Sequence, residues 1–154
     1  MRLISKLLCS SILVCSSLAA SASSFSSLVI FGDSLSDSGN NSNVPTIGAA
    51  PAQVITGNTY VPGQTYSSAP FGTYSNGPVW ATQFAEMLGL SALPSLLPGG
   101  TNFAFGGART GASSQVPSLL SQTAMYLGGT GGVADGEALY VVAGGGNNVR
   151  STLE

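Results

Sequence analysis

The chain has 154 residues, enough for one folded domain, and 44% of them are hydrophobic, which supplies a core. Charged residues make up only 6% of the sequence, and the four Lys and Arg form no basic cluster, which argues against nucleic-acid binding. The sequence contains no His, so it offers no His-based metal site and lacks the usual general base of a serine or cysteine hydrolase.

The N-terminal segment has the pattern of a secretory signal peptide. Arg2 and Lys6 precede an apolar stretch, and Ala20-Ser21-Ala22 has the small-x-small form of a cleavage site. We therefore expect a signal peptide at 1–22 and an exported domain at 23–154, either extracellular or periplasmic. The alternatives for this segment are a membrane anchor, for which it is short and rich in Ser, and lipid attachment at one of its two cysteines.

Both cysteines lie in the leader, so the mature domain would have none and would fold without disulfides. No apolar run in the mature chain approaches the ~18 residues that a membrane span needs. We expect no transmembrane segment there, and a cell-surface location only if an anchoring segment follows the domain.

The first half of the mature chain contains one clear element. The apolar run at 27–31 predicts a buried parallel strand that ends in a tight turn at Gly32-Asp33-Ser34. From Ser36 to about Asn76 the sequence is rich in Gly, Pro, Ser, Thr and Asn, which predicts a long irregular loop with one short helical turn after Asp37.

Further elements are predicted after the loop. A helix should begin at Pro78 and end at Gly89, a short strand should cover 102–105, and a second helix should cover 116–127. The run 138–143 predicts another strand, with a helix starting after Asn147. The predicted core face of the first helix consists of Val79, Trp80, Phe84, Met87 and Leu88.

This alternation of strands and helices predicts an α/β fold with a parallel sheet. Because three strands make a thin sheet, we expect the domain to be incomplete at its C-terminus.

Small polar residues and glycines follow each predicted strand. Ligands bind beyond the carboxyl ends of parallel strands, so Ser34, Gly106-Gly107 and Asn147 are expected to converge. A Ser on a tight turn exposes its hydroxyl, Gly107 allows a backbone N–H to approach a substrate, and the Asn147 amide is an uncharged donor. Alternatively, these residues only form turns and helix caps.

Four segments in this order resemble the GDSL (SGNH) lipases and esterases over about residues 28–148. They are Phe31-Gly32-Asp33-Ser34-Leu35-Ser36-Asp37-Ser38-Gly39-Asn40, Ser75-Asn76-Gly77-Pro78-Val79-Trp80, Asn102-Phe103-Ala104-Phe105-Gly106-Gly107-Ala108 and Gly145-Gly146-Asn147-Asn148. The resemblance implies a flavodoxin-like three-layer α/β/α sandwich with a parallel sheet.

The resemblance also implies a role for each matching residue. Ser34 would be the nucleophile, and the oxyanion hole would consist of its own backbone N–H, the Gly107 N–H and the Asn147 side chain. Because Gly106 is adjacent, the choice of glycine stays open. Asp33 and Asp37 would be structural, and Asn148 stands where the family usually has Asp. No metal or organic cofactor is implied.

The last block of the family, Asp-x-x-His, has no counterpart here, because the sequence has no His. We therefore expect the N-terminal part of an exported serine esterase or lipase that acts on small-molecule or lipid esters through an acyl-serine intermediate. Such a chain would be inactive as it stands. The alternative is a catalytically dead binding or structural remnant of the same fold.

Overall fold

The computed structural model describes residues 24–43, 66–67, 72–75, 77–111 and 116–153. The predicted signal peptide and most of the predicted loop lie outside these residues. The elements in chain order are β1 (Leu28–Gly32), α1 (Asn40–Asn43), β2 (Tyr66–Ser67), β3 (Gly72–Thr73), α2 (Trp80–Met87), α3 (Leu119–Gly129), β4 (Leu139–Ala143) and α4 (Gly146–Leu153).

The central sheet is parallel, as predicted. β1 pairs with β4 in a register that runs from Leu28 opposite Leu139 to Gly32 opposite Ala143. On the other side of β1, Ile30 forms a parallel bridge with Asn102. Adjacent parallel pairing therefore places the ends of three chain segments at one edge of the sheet.

The strand predicted at 102–105 does not form as a regular element. The segment lies beside β1, and the Phe103 N–H donates to the Ile30 carbonyl at 2.7 Å, but the ladder consists of isolated bridges. The Gly32 N–H, which would donate to the 102–105 segment in a continued parallel ladder, donates instead to the Gln122 side chain of α3 at 2.8 Å. The prediction was right about the parallel neighbour and wrong about the regular strand.

Helices cover both faces of β1. Leu28 and Ile30 pack with residues of α2 in one buried cluster, whereas Val29 and Phe31 pack with Tyr126 of α3 in another. Since successive side chains of a strand point to opposite faces, the two clusters lie on opposite sides of the sheet. This is the three-layer α/β/α arrangement.

The predicted core face of α2 is confirmed in part, because Val79 is buried and Phe84 packs against the same cluster. The helix forms where it was expected, but Ala81 and Ala85 are its buried residues, and Met87 is 84% exposed. Trp80 and Leu88 are also classed as exposed. A reading that favours large apolar residues does not anticipate that the small side chains of Ala81 and Ala85 are the buried ones.

The remaining predictions were met in part. α1 confirms the helical turn after Asp37, but β2 and β3 form an antiparallel pair inside the stretch that was predicted to be irregular. α3 begins at Leu119 rather than 116, because the Ser118 side chain caps it by accepting from the Ser121 N–H at 3.2 Å. No helix among the described residues is long and apolar enough to cross a membrane.

Candidate active site

Ser34 lies on a tight turn directly after the buried strand β1. The Asp33 carbonyl accepts hydrogen bonds from the Ser36 and Asp37 N–H groups, both at 3.0 Å. The Asp33 carboxylate accepts from the Leu35 N–H at 3.1 Å, which closes an Asx-type turn around Ser34. Ser34 itself is partly exposed, while Asp33 is buried. The turn therefore presents Ser34 at the edge of the sheet and uses Asp33 to hold its shape.

Gln122 of α3 fixes the last residue of β1. Its side-chain carbonyl accepts from the Gly32 N–H at 2.8 Å, and its amide donates to the Gly32 carbonyl at 2.8 Å and to the Pro117 carbonyl at 3.0 Å. Gln122 is fully buried. Sequence reasoning missed this residue, although a Gln four positions before the buried Tyr126 on a core-packed helix was a detectable signal.

Asp37 connects the Ser34 turn to the Gly106 segment. One carboxylate oxygen accepts from the Gly39 and Asn40 N–H groups at 2.8 and 2.6 Å. The other accepts from the Gly106 N–H at 3.0 Å and from the Asn41 N–H at 3.3 Å. Burial raises the pKa of the Asp37 carboxyl, and these backbone donors oppose the rise. A fully engaged carboxylate in this position fits a structural role better than that of a base.

Gly106 and Gly107 differ in their backbone hydrogen bonds and backbone conformation. The Gly106 N–H is occupied by Asp37, and the Gly106 carbonyl accepts from the Asn41 amide at 3.0 Å. A Cβ at Gly106 would overlap the ring of Tyr74. Gly107 is exposed and has a φ of +83°, which favours glycine, and its N–H donates to no acceptor among the described residues. Of the two glycines, Gly107 is the one with a donor free to meet a ligand.

The side chains of Asn147 and Asn148 connect the first turn of α4 to the segment after Gly107 by hydrogen bonds. The Asn147 amide donates to the Ala108 carbonyl at 2.9 Å. The Asn148 side chain accepts from the Thr110 N–H at 3.0 Å and donates to the Thr110 hydroxyl at 3.1 Å. An Asn amide has two N–H groups, so Asn147 retains one donor beyond its bond to Ala108.

Ser34, Gly107 and Asn147 follow chain segments that end at the same level of the sheet. Gly32 lies opposite Ala143 in the β1–β4 register, and the Phe105 N–H donates to the Gly32 carbonyl at 3.2 Å. Ser34 and Gly107 therefore lie two residues after Gly32 and Phe105, and Asn147 lies four residues after Ala143. All three are at the carboxyl edge of the sheet. Gly107 and Asn147 line one cavity of about 200 Å³ together with Arg109, Arg150 and Ser151. Ser34 is not part of that lining.

Ser34 is a partly exposed Ser on a strand-end turn, and acyl transfer uses a Ser in such a position together with uncharged donors for the oxyanion. The GDSL-like lipase/acylhydrolase family matches residues 28–153, which is most of the sequence. The chain belongs to this family. A GDSL esterase/lipase of Arabidopsis thaliana is 35% identical over 68 residues, a stretch that covers 44% of this chain and 16% of the relative.

Membership of the GDSL family confirms the predicted fold class, an SGNH hydrolase α/β fold with a parallel sheet. Tyr74 and Asn41 were missed by sequence reasoning. The Asn41 amide donates to the Tyr74 hydroxyl at 2.7 Å, and both residues contact the Gly106 segment. Within the described ranges, no three His, Cys, Asp or Glu side chains are grouped so that they could hold a metal ion.

Proposed function

We propose that this GDSL-family chain carries the nucleophile and the oxyanion hole of an exported serine hydrolase that cleaves carboxylic esters of small molecules or lipids. The observation that carries the proposal is the turn after β1, which holds Ser34 partly exposed at the same sheet edge as the Gly107 N–H, a group that donates to no described residue. Export rests on the signal-peptide pattern at 1–22.

In the proposed reaction the Ser34 hydroxyl oxygen attacks the ester carbonyl carbon. The carbonyl π electrons move onto oxygen, and the resulting oxyanion is held by the backbone N–H groups of Ser34 and Gly107 and by the Asn147 amide. When the carbonyl re-forms, the alcohol leaves with a proton and the acyl group stays on Ser34. Water then attacks this acyl-serine and releases the acid.

The first step also needs a base to take the Ser34 proton. Asp33 and Asp37 are occupied by backbone N–H donors, and the 154 residues contain no His. We assign the base to a His outside these residues, oriented by an Asp three positions before it. A site without a triad member retains only about 10³ to 10⁴-fold catalysis over water, so the proposal predicts a marked dependence on that base.

The absence of His favours a second candidate, a catalytically inactive remnant that binds ligands or serves a structural purpose. The two candidates differ in the reactivity of Ser34. A hydrolase site reacts with a fluorophosphonate once a base is available, whereas an inert remnant does not.

The test labels the whole protein, as secreted by its source, with a fluorophosphonate, and locates the label by peptide mass spectrometry. We expect modification of Ser34, loss of labelling and ester hydrolysis in Ser34→Ala, and retention of both in Ser151→Ala. Ser151 is the matched control because it is a Ser that lines the cavity that Gly107 and Asn147 share, and its hydroxyl donates to the Asn148 carbonyl. Hydrolysis retained by Ser34→Ala would refute the nucleophile assignment.

Added imidazole separates a missing base from a dead site. If the isolated protein carries no His, labelling of Ser34 should increase with the concentration of neutral imidazole, because the free base can accept the proton in place of the missing side chain. Ser34→Ala gives the background reaction of imidazole with the probe. Absence of labelling at Ser34 both with and without imidazole would support the remnant.

A further inference from the structure

The cations of the described chain are concentrated at the candidate site. Beyond residue 6 the sequence contains only two Lys or Arg residues, Arg109 and Arg150. Both line the cavity of about 200 Å³ that contains Gly107 and Asn147, and none of its described lining residues is acidic. In a chain with a formal net charge of −2, this places the available positive charge at one edge of the sheet.

The backbone fixes both arginines relative to the oxyanion donors. Arg109 lies two residues after Gly107, next to the Ala108 carbonyl that accepts from Asn147, and the Arg109 carbonyl accepts from the Leu119 N–H at 2.9 Å. Arg150 lies three residues after Asn147 in α4, so the two residues share one face of the helix. No described carboxylate forms an ion pair with Arg109.

Neither arginine is a core residue. Arg109 is only partly buried and Arg150 is exposed, so neither fills the core. A guanidinium group presents a rigid fork of N–H donors that matches a carboxylate or phosphate in bidentate geometry. The Arg109 guanidinium beside uncharged oxyanion donors is therefore suited to a substrate that carries its own anion.

We propose that the site prefers esters that bear a second, anionic oxygen group, a carboxylate or a phosphate, within a few bonds of the scissile carbonyl. The inference rests on the proposed ester hydrolysis. Arg109 binds the anion, and Arg150 adds to the positive potential. The reaction at Ser34 is the same as for a neutral ester, and the anionic group remains unchanged.

The first experiment compares two matched substrates, 4-nitrophenyl hydrogen adipate and the 4-nitrophenyl ester in which the free carboxylate is replaced by a primary amide. The two have nearly the same size and the same leaving group. We expect a higher kcat/KM for the anionic ester, and we expect Arg109→Gln to reduce the ratio of the two values about fivefold, as for a partly exposed ion pair. Arg109→Lys should retain most of the ratio, because it retains the charge.

The control variant is Ala124→Glu, on the exposed surface of α3. It changes the net charge by the same amount as Arg109→Gln and should leave the ratio within twofold. The ratio should also decrease as NaCl is raised, since salt screens exposed charges. Equal losses of kcat/KM for both substrates in Arg109→Gln would overturn the proposal, because they would mean that Arg109 stabilises only the oxyanion.

A binding measurement keeps this inference separate from the proposed function. Calorimetry on the whole protein carrying Ser34→Ala compares 5-oxohexanoate with 5-oxohexanamide, two ketones that cannot be hydrolysed. Tighter binding of the carboxylate, lost in Arg109→Gln, supports the inference even if Ser34 is not the nucleophile. Equal binding of the two ketones overturns it even if Ser34→Ala abolishes hydrolysis.

Discussion

Replacing Gln122 by Met should destabilise the protein by about 2–4 kcal/mol, although the volume of the side chain changes little. Gln122 is fully buried, and its three hydrogen bonds go to both backbone groups of Gly32 and to the Pro117 carbonyl. Met leaves the buried Gly32 N–H without that acceptor, and an unpaired buried donor costs about 1–3 kcal/mol. The Gly32 carbonyl retains its bond from the Phe105 N–H, so its loss is smaller.

The assay is urea denaturation monitored by circular dichroism, with Gln83→Met as the matched control. Gln83 is exposed on α2 and makes a single side-chain bond to the Pro78 carbonyl, so the same substitution there should cost less than about 0.5 kcal/mol. Since Gly32 lies two residues before Ser34, Gln122→Met should also slow fluorophosphonate labelling of Ser34. If the two Met variants have equal free energies of unfolding, the claim that Gln122 holds Gly32 is wrong.

Three further predictions concern the loops of the site. Gly106→Ala should lower the free energy of unfolding by about 1–3 kcal/mol, because its Cβ would overlap the Tyr74 ring. The control Gly111→Ala should be nearly neutral, because a Cβ there has open space. In a double-mutant cycle, Tyr74→Ala should recover part of the stability that Gly106→Ala loses. Burial raises the pKa of Asp37 above its usual 3.8, so the folded state retains a proton that the unfolded state releases. The free energy of unfolding should therefore decrease as the pH rises from 3.8 through the folded-state pKa. Asp37→Asn should lack this decrease in denaturation curves between pH 3 and 7. If the stability of the wild type relative to Asp37→Asn increases with pH, the backbone donors outweigh burial. Asn148→Asp keeps the acceptor for the Thr110 N–H and adds a negative charge in the first turn of α4, so thermal unfolding should show a change below about 1 kcal/mol, and a loss above about 2 kcal/mol would contradict it.

Patterns confined to one short segment were read correctly from the sequence. The apolar runs predicted β1 and β4, and Pro78 and Gly89 bounded α2 within two residues. These signals are local, because a buried strand must be apolar on both faces and a helix must end where its backbone can no longer continue. The three strand-end segments gave the candidate site for the same reason, since parallel strands place their carboxyl ends at one edge.

Two features that depend on contacts between segments distant along the chain were not predicted. The buried face of α2 is set by Ala81 and Ala85 because they contact β1, and size alone favoured Trp80 and Met87. The 102–105 segment lies beside β1 without forming a regular strand, because the Gly32 N–H donates to the Gln122 side chain of α3 rather than to that segment. Neither partner can be identified from the segment itself.

The sequence by itself determined the α/β fold class, because strand and helix periodicity act over a few neighbouring positions, and its resemblance to the GDSL family supplied Ser34 as the candidate nucleophile. Only the tertiary structure distinguishes Gly106 from Gly107, since the Gly106 N–H is taken by Asp37, which is 69 positions away along the chain. Likewise, only the fold placed Arg109 and Arg150 in one cavity. Hydrogen bonds and charges between distant segments depend on distances that folding creates, and no local pattern encodes them.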